Sequence, residues 1–284
     1  DEKYHTYSRP LISYWLMGKV NDRNIFYREP DFYEKNNVET LLGHKVTKID
    51  PSAKKVVLDD GNAVAYDKLM VATGSKPFVP PMNGLDKISF HTFMTYDSVK
   101  AIKAEVREGM KVLIIGAGLI GLKAAEALNE YKAEITVVDM ADRILPSILD
   151  ARAGAKMQKH IESKGTRFIL GTSVDEFSER SAKLRNGMTV DFDMVIIAVG
   201  VRPNTELVSD AGGKVERGII CDLTQKTTLD DVYAAGDCTV SHDASSDTDR
   251  ILALLPNAYM QGEVAGKNMA GQETYYVNAI PMNA

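Results

Sequence analysis

At 284 residues the chain is too long for one small core and fits two domains. A net charge of -5 without any Lys/Arg block argues against a nucleic-acid partner, and 44% hydrophobic with 26% charged residues is the balance of a globular protein. No apolar run approaches the roughly 20 residues of a membrane helix, and the polar start at residues 1–7 lacks a signal-peptide core, so neither membrane insertion nor secretion is expected. The opening DEKYHTYSRP reads as loop and runs straight into LISYWLMGKV, apolar with helical character. Strands are predicted at 45–49 and 55–58, with the turn signal Asp60-Gly61-Asn62 behind the second. Residues 66–72 read as a buried strand ending in Thr73-Gly74, and the Pro-rich stretch 76–84 as a linker. A helix over 96–108 leads to a buried strand at 111–115, the glycine-rich GAGLIG and a helix over 119–131. A strand at 134–138 ends at Asp139, and a helix over 150–164 precedes a strand at 167–170. Strand pieces 183–185 and 189–192 flank Asn186-Gly187, a two-residue hairpin signal, and 194–199 is a buried strand closing on Gly200. Strand and helix alternate from 111 to 200, as a parallel α/β sheet requires. Beyond it come a connector (201–213), strands at 218–221 and 231–235, and the turn Gly236-Asp237. The polar stretch SHDASSDTD (241–249) reads as a solvated loop, 256–268 as a helix, and 274–284 as a tail.

The strongest local signal is VLIIGAGLIG, with Gly116, Gly118 and Gly121 in GxGxxG spacing. Three such glycines alone are weak evidence. Here a buried strand precedes them, a helix follows, and an acid stands about twenty residues on. Gly116 permits the tight turn, Gly118 lets backbone approach a diphosphate, and Gly121 lets the helix lie close to the strand. Free N–H groups at the helix start and the helix dipole favour an anion, and Ala117, Leu119 and Ile120 join the expected NAD set. Asp139 is placed for the hydroxyls of an adenosine ribose and repels a 2′-phosphate, so NADH is expected over NADPH. Arg143 points the other way, since an arginine here accepts a 2′-phosphate. The competing reading of the motif is a glycine-rich packing turn beside a surface acid. Val199 and Gly200 end the strand beside this loop and join the expected NAD set.

Only Cys221 and Cys238 occur, without CxxC or metal-ligand spacing, so two unpaired thiols in a reducing cytosol and no metal centre are expected. None of the five histidines sits in a nucleophile or acid/base constellation; His5, close to YSRP, is the one nearest a motif.

Taken together, YSRPLIS, VATG, GAGLIG, VVDMADR, AVGVRPN, VYAAGDC and LPNAYMQG make the chain resemble the FAD-dependent pyridine nucleotide–disulfide oxidoreductases, in the NADH oxidase and rubredoxin reductase-like branch. The motifs follow the family order over nearly the whole chain. The resemblance implies an α/β fold of two Rossmann-like dinucleotide-binding domains, the NAD(H) domain (98–214) inserted into a discontinuous FAD domain (1–97 and 215–284). It places Arg9, Pro10, Val46, Ala72, Thr73 and Gly74 beside FAD. Gly236 and Asp237 would hold the ribityl or phosphate portion, and Pro256, Asn257 and Ala258 the flavin edge. For Asp237 a helix N-cap is the plainer reading, and for Arg9 a surface cation.

Three departures shape the expected activity. The family's first strand, glycine turn and helix would precede Asp1, and its C-terminal interface domain would follow Ala284. The chain is thus expected to be a truncated piece of a homo-oligomeric protein. No redox cysteine lies near YSRPLIS, which argues against disulfide reductase and peroxidase chemistry. Lys123 stands where the family often carries Glu beside the nicotinamide; it either reverses the local charge or is a solvated helix residue paired with Glu126. The expectation is hydride transfer from NADH to FAD and then to a redox protein such as rubredoxin or another iron–sulfur protein, or to oxygen. The catalytic candidates are Lys123 and Arg9. The alternatives kept open are a non-catalytic NAD(H)-binding module or electron-transfer subunit and, less well fitted, a one-domain dehydrogenase.

Overall fold

The structure, a computed structural model, describes residues 1–277 and 280. The last part of the expected tail, 278–279 and 281–284, lies outside the described residues. Contacts divide the chain into two compact units. One comprises Asp1–His5, Glu39–Lys76 and Arg202–Ala284; the other comprises Thr6–Val38 and Pro77–Val201.

The second unit is built on a five-stranded sheet in which every neighbouring pair is parallel. Its order is His91–Thr92, Met194–Ile197, Lys111–Ile115, Glu134–Asp139, Arg167–Leu170. Both faces are covered, which is why KVLII and MVII are continuous apolar runs rather than alternating ones. Leu113, Ile115, Val138, Val195 and Ile197 pack on one side against Phe177, Leu184 and Phe192. Phe177 and Leu184 belong to an antiparallel meander of Val174–Ser178, Ser181–Leu184 and Thr189–Asp191, and Phe192 directly follows its last strand. A tight turn forms at Asn186-Gly187, but with three loop residues rather than two: Gly187 takes φ +87° while Asn186 keeps negative φ, Gly187 N donates to the Leu184 carbonyl at 3.0 Å around Arg185-Asn186, and Leu184 N donates to the Met188 carbonyl at 2.8 Å. The helix Leu119–Asn129 packs on the two central strands with Ala124, Ala125 and Leu128 fully buried. Thr95 caps the helix Tyr96–Glu105 in a reciprocal box with Ser98, and Asp150 caps Ala151–Glu162 through Ala153 N at 2.7 Å.

The units divide the chain at other points than the domains 1–97, 98–214 and 215–284. Residues 6–38 lie with the parallel sheet because the short helix Ile12–Leu16 packs on Tyr96–Glu105 and Leu119–Asn129. There Trp15 meets the Tyr96 ring edge-on at 5.0 Å, Asp22 accepts from Trp15 Nε1 at 2.7 Å and from the Tyr96 hydroxyl, and Tyr131 donates to the Leu16 carbonyl at 2.7 Å. Residues 77–97 join the same unit because His91–Thr92 extends the parallel sheet, a two-residue strand too short to leave a periodic signal.

In the first unit Val46–Asp50, Lys55–Leu58 and Ala63–Ala65 form an antiparallel sheet, and Leu69–Val71 pairs in parallel with Val232–Ala234. Ile49, Val56, Val71, Val208, Ile219, Val232, Ala234 and Cys238 close one core. Two readings are corrected here. The connector 201–213 contains the strand Val201–Pro203, paired with Ser75–Pro77, and the helix Glu206–Asp210, whose Val208 is fully buried. The stretch 241–249 is exposed apart from Ser241 and Asp243, as expected, but it is a hairpin rather than a loop: Thr239–Asp243 and Thr248–Arg250 pair antiparallel. Asp243 there is fully buried, accepting from Ser245 Oγ at 2.6 Å, Ser245 N at 2.9 Å and Ser246 Oγ at 2.9 Å, and it ion-pairs with Arg250. The serines and Arg250 stay exposed while satisfying the one buried acid, a pairing that composition does not reveal.

Candidate cofactor sites

In the parallel-sheet unit the glycine loop follows Lys111–Ile115 and opens the helix Leu119–Asn129. Gly116 adopts φ +111°, and a Cβ there would strike the Ala198 carbonyl. A Cβ on Gly121 would collide with the Gly116 carbonyl, so only glycine allows this helix so near the strand. At Gly118 a Cβ would meet no protein atom within 4 Å, and no side chain caps the helix behind it. Backbone N–H groups at that end thus lack a side-chain cap, and the space in front of Gly118 is open, as an anion site requires.

Asp139 closes the neighbouring strand. Its Oδ2 accepts from Ala117 N at 2.6 Å and its Oδ1 from Ala141 N at 2.8 Å. A carboxylate has about four acceptor positions, so two backbone bonds orient the group and leave capacity for two hydroxyls. Arg143 is committed elsewhere: it pairs with Asp142 at 3.0 Å and donates to the Leu149 and Pro146 carbonyls at 3.4 and 3.5 Å. Val199 and Gly200 lie exposed beyond Met194–Ile197, with Gly200 at φ +124° and the preceding Ala198 N donating to the Ile115 carbonyl at 2.8 Å. The structure thus brings Gly116, Ala117, Gly118, Leu119, Ile120, Gly121, Asp139, Val199 and Gly200 to one end of the sheet. Lys123, on the same helix, donates to Glu126 at 2.8 Å and lies 5.0 Å from the Tyr14 ring centroid. The Glu126 partner raises its pKa above the ordinary lysine value, so it is a cation at neutral pH.

A second cluster forms in the first unit, at the carboxyl ends of the parallel pair Leu69–Val71 and Val232–Ala234. Thr73-Gly74 leaves one strand and Gly236-Asp237 the other, with Gly74 at φ +60° and Gly236 at φ +83°. Ser75 Oγ donates to Asp237 Oδ2 at 3.3 Å. Gly236 lies against the first turn of the helix Leu255–Met269: a Cβ on it would sit 3.6 Å from that of Ala258. Asp237 follows its strand, yet that helix begins eighteen residues later behind Leu254, so Asp237 does not cap it. Asn257 is 1% exposed, and its Nδ2 donates to the Tyr276 hydroxyl at 2.9 Å and the Ile280 carbonyl at 3.2 Å. A carbonyl only accepts, which fixes the amide orientation and leaves Oδ1 with no partner among the described residues. A buried acceptor of this kind is costly in isolation and fits a donor on a bound ring edge, such as the imide of a flavin.

Of the remaining candidates, Val46 packs against the core of this unit, Ala72 is exposed beside Thr73, and Pro256 lies in the first turn of the helix. Arg9 and Pro10 form a 3₁₀ turn in the other unit. The motif reading overlooked Asn204, which clasps the Thr73-Gly74 turn: its N–H donates to the Gly74 carbonyl at 2.9 Å, its Nδ2 to the Thr73 carbonyl at 2.8 Å, and its own carbonyl accepts from Thr73 Oγ1 at 2.7 Å. Its place directly after Arg-Pro in AVGVRPN was the available signal. Both cysteines are free, and burial pushes the Cys221 thiol up to about 12 and raises that of Cys238, so neither is a ready thiolate. Among the described residues the single group with metal-ligand geometry is His44, Asp59 and Asp60, all exposed. No described helix is long and apolar enough to cross a membrane.

The subunit epsilon of NADH-dependent phenylglyoxylate dehydrogenase from Aromatoleum evansii is 30% identical over 98% of this chain and 67% of its own length. An NADH oxidase from Methanocaldococcus jannaschii is 33% identical over 97% of this chain and 64% of its own. The solved NADH:rubredoxin oxidoreductase from Clostridium acetobutylicum superposes with a TM-score of 0.84 at 29% identity, over 99% of this chain and 70% of that one. The chain spans about two thirds of these relatives, and about a third of others such as the nitrite reductase of Bacillus subtilis (34%). The sequence pattern of the pyridine nucleotide-disulphide oxidoreductases matches residues 1–262, and the chain belongs to that family.

Proposed function

We propose that the chain is the cofactor-binding part of an NADH-dependent flavoprotein oxidoreductase. It would deliver electrons to a redox protein, such as rubredoxin or another iron–sulfur protein, or to oxygen. The observation that carries this reading is the presence of two separate nucleotide-type sites in one chain. One has its acidic gatekeeper clamped to the glycine loop; the other has a buried amide oxygen awaiting a donor. Relatives that are NADH oxidases and rubredoxin reductases support the same activity.

Bound FAD supplies the hydride-accepting and electron-relaying chemistry. The chain's own residues bind and orient. Asp139 accepts the ribose hydroxyls of NADH, and amides of Gly118, Leu119 and Ile120 receive the diphosphate. NADH is preferred over NADPH because the Asp139 carboxylate repels a 2′-phosphate while the Arg143 guanidinium is spent on its own loop. In the other unit Asp237 accepts from the sugar-alcohol portion of FAD, Asn257 Oδ1 from the flavin edge, and Asn204 holds Thr73-Gly74 in place. No general base is required for hydride transfer, and the two catalytic candidates, Lys123 and Arg9, are both cations. Lys123, a cation held by Glu126 near Tyr14, is the group we assign to the nicotinamide side. Two free thiols fit a reducing cytosol.

The test is to purify the full-length protein, record its visible spectrum and add NADH without oxygen. Flavin absorbance that bleaches on NADH addition supports the reading. A colourless protein that still binds NADH would instead make it an NAD(H)-binding module.

A further inference from the structure

Beneath the Gly236-Asp237 turn lies the side-chain amide of Gln261, a residue of LPNAYMQG to which the resemblance assigns no role. Gln261 is 1% exposed and sits one helical turn beyond Asn257, on the same inward face of the helix Leu255–Met269. Its Oε1 accepts from Gly236 N at 2.6 Å and lies 3.2 Å from Thr239 Oγ1, whose single proton goes to the nearer Gly236 carbonyl, and its Nε2 donates to Ser241 Oγ at 2.5 Å. Because a backbone N–H only donates, the oxygen must face Gly236 and the orientation of the amide is settled. Thr239 Oγ1 also lies 2.8 Å from the Gly236 carbonyl, so the glycine is held on both sides of its peptide unit. Gly236 itself adopts φ +83°, a conformation in which the chain direction is set by few residues and is easily altered.

This network does more than fill a core. A buried apolar residue would pack there at lower desolvation cost, whereas three polar contacts fix one geometry. What they fix is the relation between two segments about twenty amino acids apart: the turn that bears Asp237 and the helix start that bears Asn257 and Ala258. Both segments carry the groups assigned to FAD, so a shift of one against the other would separate an acceptor for the sugar-alcohol chain from an acceptor for the ring edge.

We propose that Gln261 is a positioning residue for flavin binding, registering the Gly236-Asp237 turn against the start of the Leu255–Met269 helix. The inference rests on the reading that this turn holds FAD. Gln261→Met keeps the volume and removes the acceptor. Gln261→Glu retains an acceptor toward Gly236, and the Ser241 hydroxyl rotates to donate to the second oxygen.

The experiment measures FAD affinity by flavin fluorescence and the visible circular dichroism of bound flavin, on full-length protein stripped of cofactor and reloaded. Urea unfolding of the stripped protein is recorded alongside. Gln261→Met should weaken FAD binding about tenfold to a hundredfold, the loss of one or two buried hydrogen bonds, and change the flavin dichroism. Gln261→Glu should restore affinity to within about threefold of wild type, and Asp237→Ala should weaken it independently. If Gln261→Met binds FAD with wild-type affinity and dichroism while Asp237→Ala does not, the positioning role is wrong and the flavin assignment stands. If Asp237→Ala also binds normally, both fall. Should Gln261→Met fail to fold, Ser241→Ala decides: it frees Nε2, and FAD affinity must drop severalfold, unchanged affinity overturning the proposal.

Discussion

The substitution Asp139→Asn removes a charge while keeping shape, and its cost follows from the two bonds the carboxylate already makes. Oδ2 faces Ala117 N and Oδ1 faces Ala141 N. An amide offers one oxygen and one NH2, so whichever way the new side chain turned, its NH2 would oppose a backbone donor. One of the two loop bonds is therefore lost, and bonds to charged groups contribute about 1.5–3 kcal/mol each. That loss falls on the protein before any ligand arrives, lowering unfolding stability of the parallel-sheet unit by about that amount. On NADH binding, one ribose hydroxyl in turn loses its charged acceptor, a further deficit of about 1.5–3 kcal/mol, or roughly tenfold to a hundredfold in Kd. Repulsion of a 2′-phosphate disappears at the same time, so NADPH should lose less affinity than NADH or gain some. Isothermal titration of both nucleotides, paired with urea unfolding, measures all three effects. A variant that bound NADH within about threefold of wild type and unfolded at the same midpoint would refute the clamp.

Other consequences can be measured directly. Gly121→Ala drives a methyl into the Gly116 carbonyl and should cost about 1–3 kcal/mol in denaturant unfolding while weakening NADH; unchanged stability would contradict the close helix–strand approach. Cys221 and Cys238, one raised to about 12 and the other raised by burial, should resist iodoacetamide at neutral pH in the native protein and react on unfolding; rapid native labelling would contradict their burial. The Asp243 carboxyl is held far below its ordinary value of 3.8 by the Ser245 hydroxyl first, then Ser245 N–H, Ser246 and Arg250. A depressed folded pKa means its stabilisation is complete above the unfolded value and is lost as pH falls from there toward the folded one. Wild type and Asp243→Asn should therefore differ more in urea stability near pH 6 than at about pH 3, and a gap independent of pH would be inconsistent.

How much of this was legible in the sequence depended on the physical origin of each feature. The run Lys111–Ile115 and the glycines behind it announced themselves, because a doubly covered parallel strand leaves an unbroken apolar stretch and a tight turn leaves glycine. Asp139 was legible as an acid at the right distance, but its grip on Ala117 and Ala141 was not, since that depends on backbone direction after the strand. The resemblance pointed to Gly236, Asp237 and Asn257, while the bonds of Gln261 and Asn204, though both stand within its motifs, escaped: a polar side chain that bonds backbone far away in sequence has no periodicity. The hairpin at 239–250 was hidden because its residues are polar and mostly exposed, and nothing in composition marks Asp243 as the one acid that its serines and Arg250 enclose. Residues 6–38 carried a flavin-associated motif, yet the aromatic contacts of Trp15 and Tyr96 lie with the parallel-sheet unit.

The account stands on where NADH is held, and a structure of the protein bound to NADH tests that most directly. It should place the diphosphate against the backbone N–H groups of Gly118, Leu119 and Ile120, with the adenosine ribose hydroxyls on Asp139 and Arg143 still turned to the carbonyls of Pro146 and Leu149. Adenosine density on another face of the sheet, or a ribose out of reach of Asp139, would contradict it.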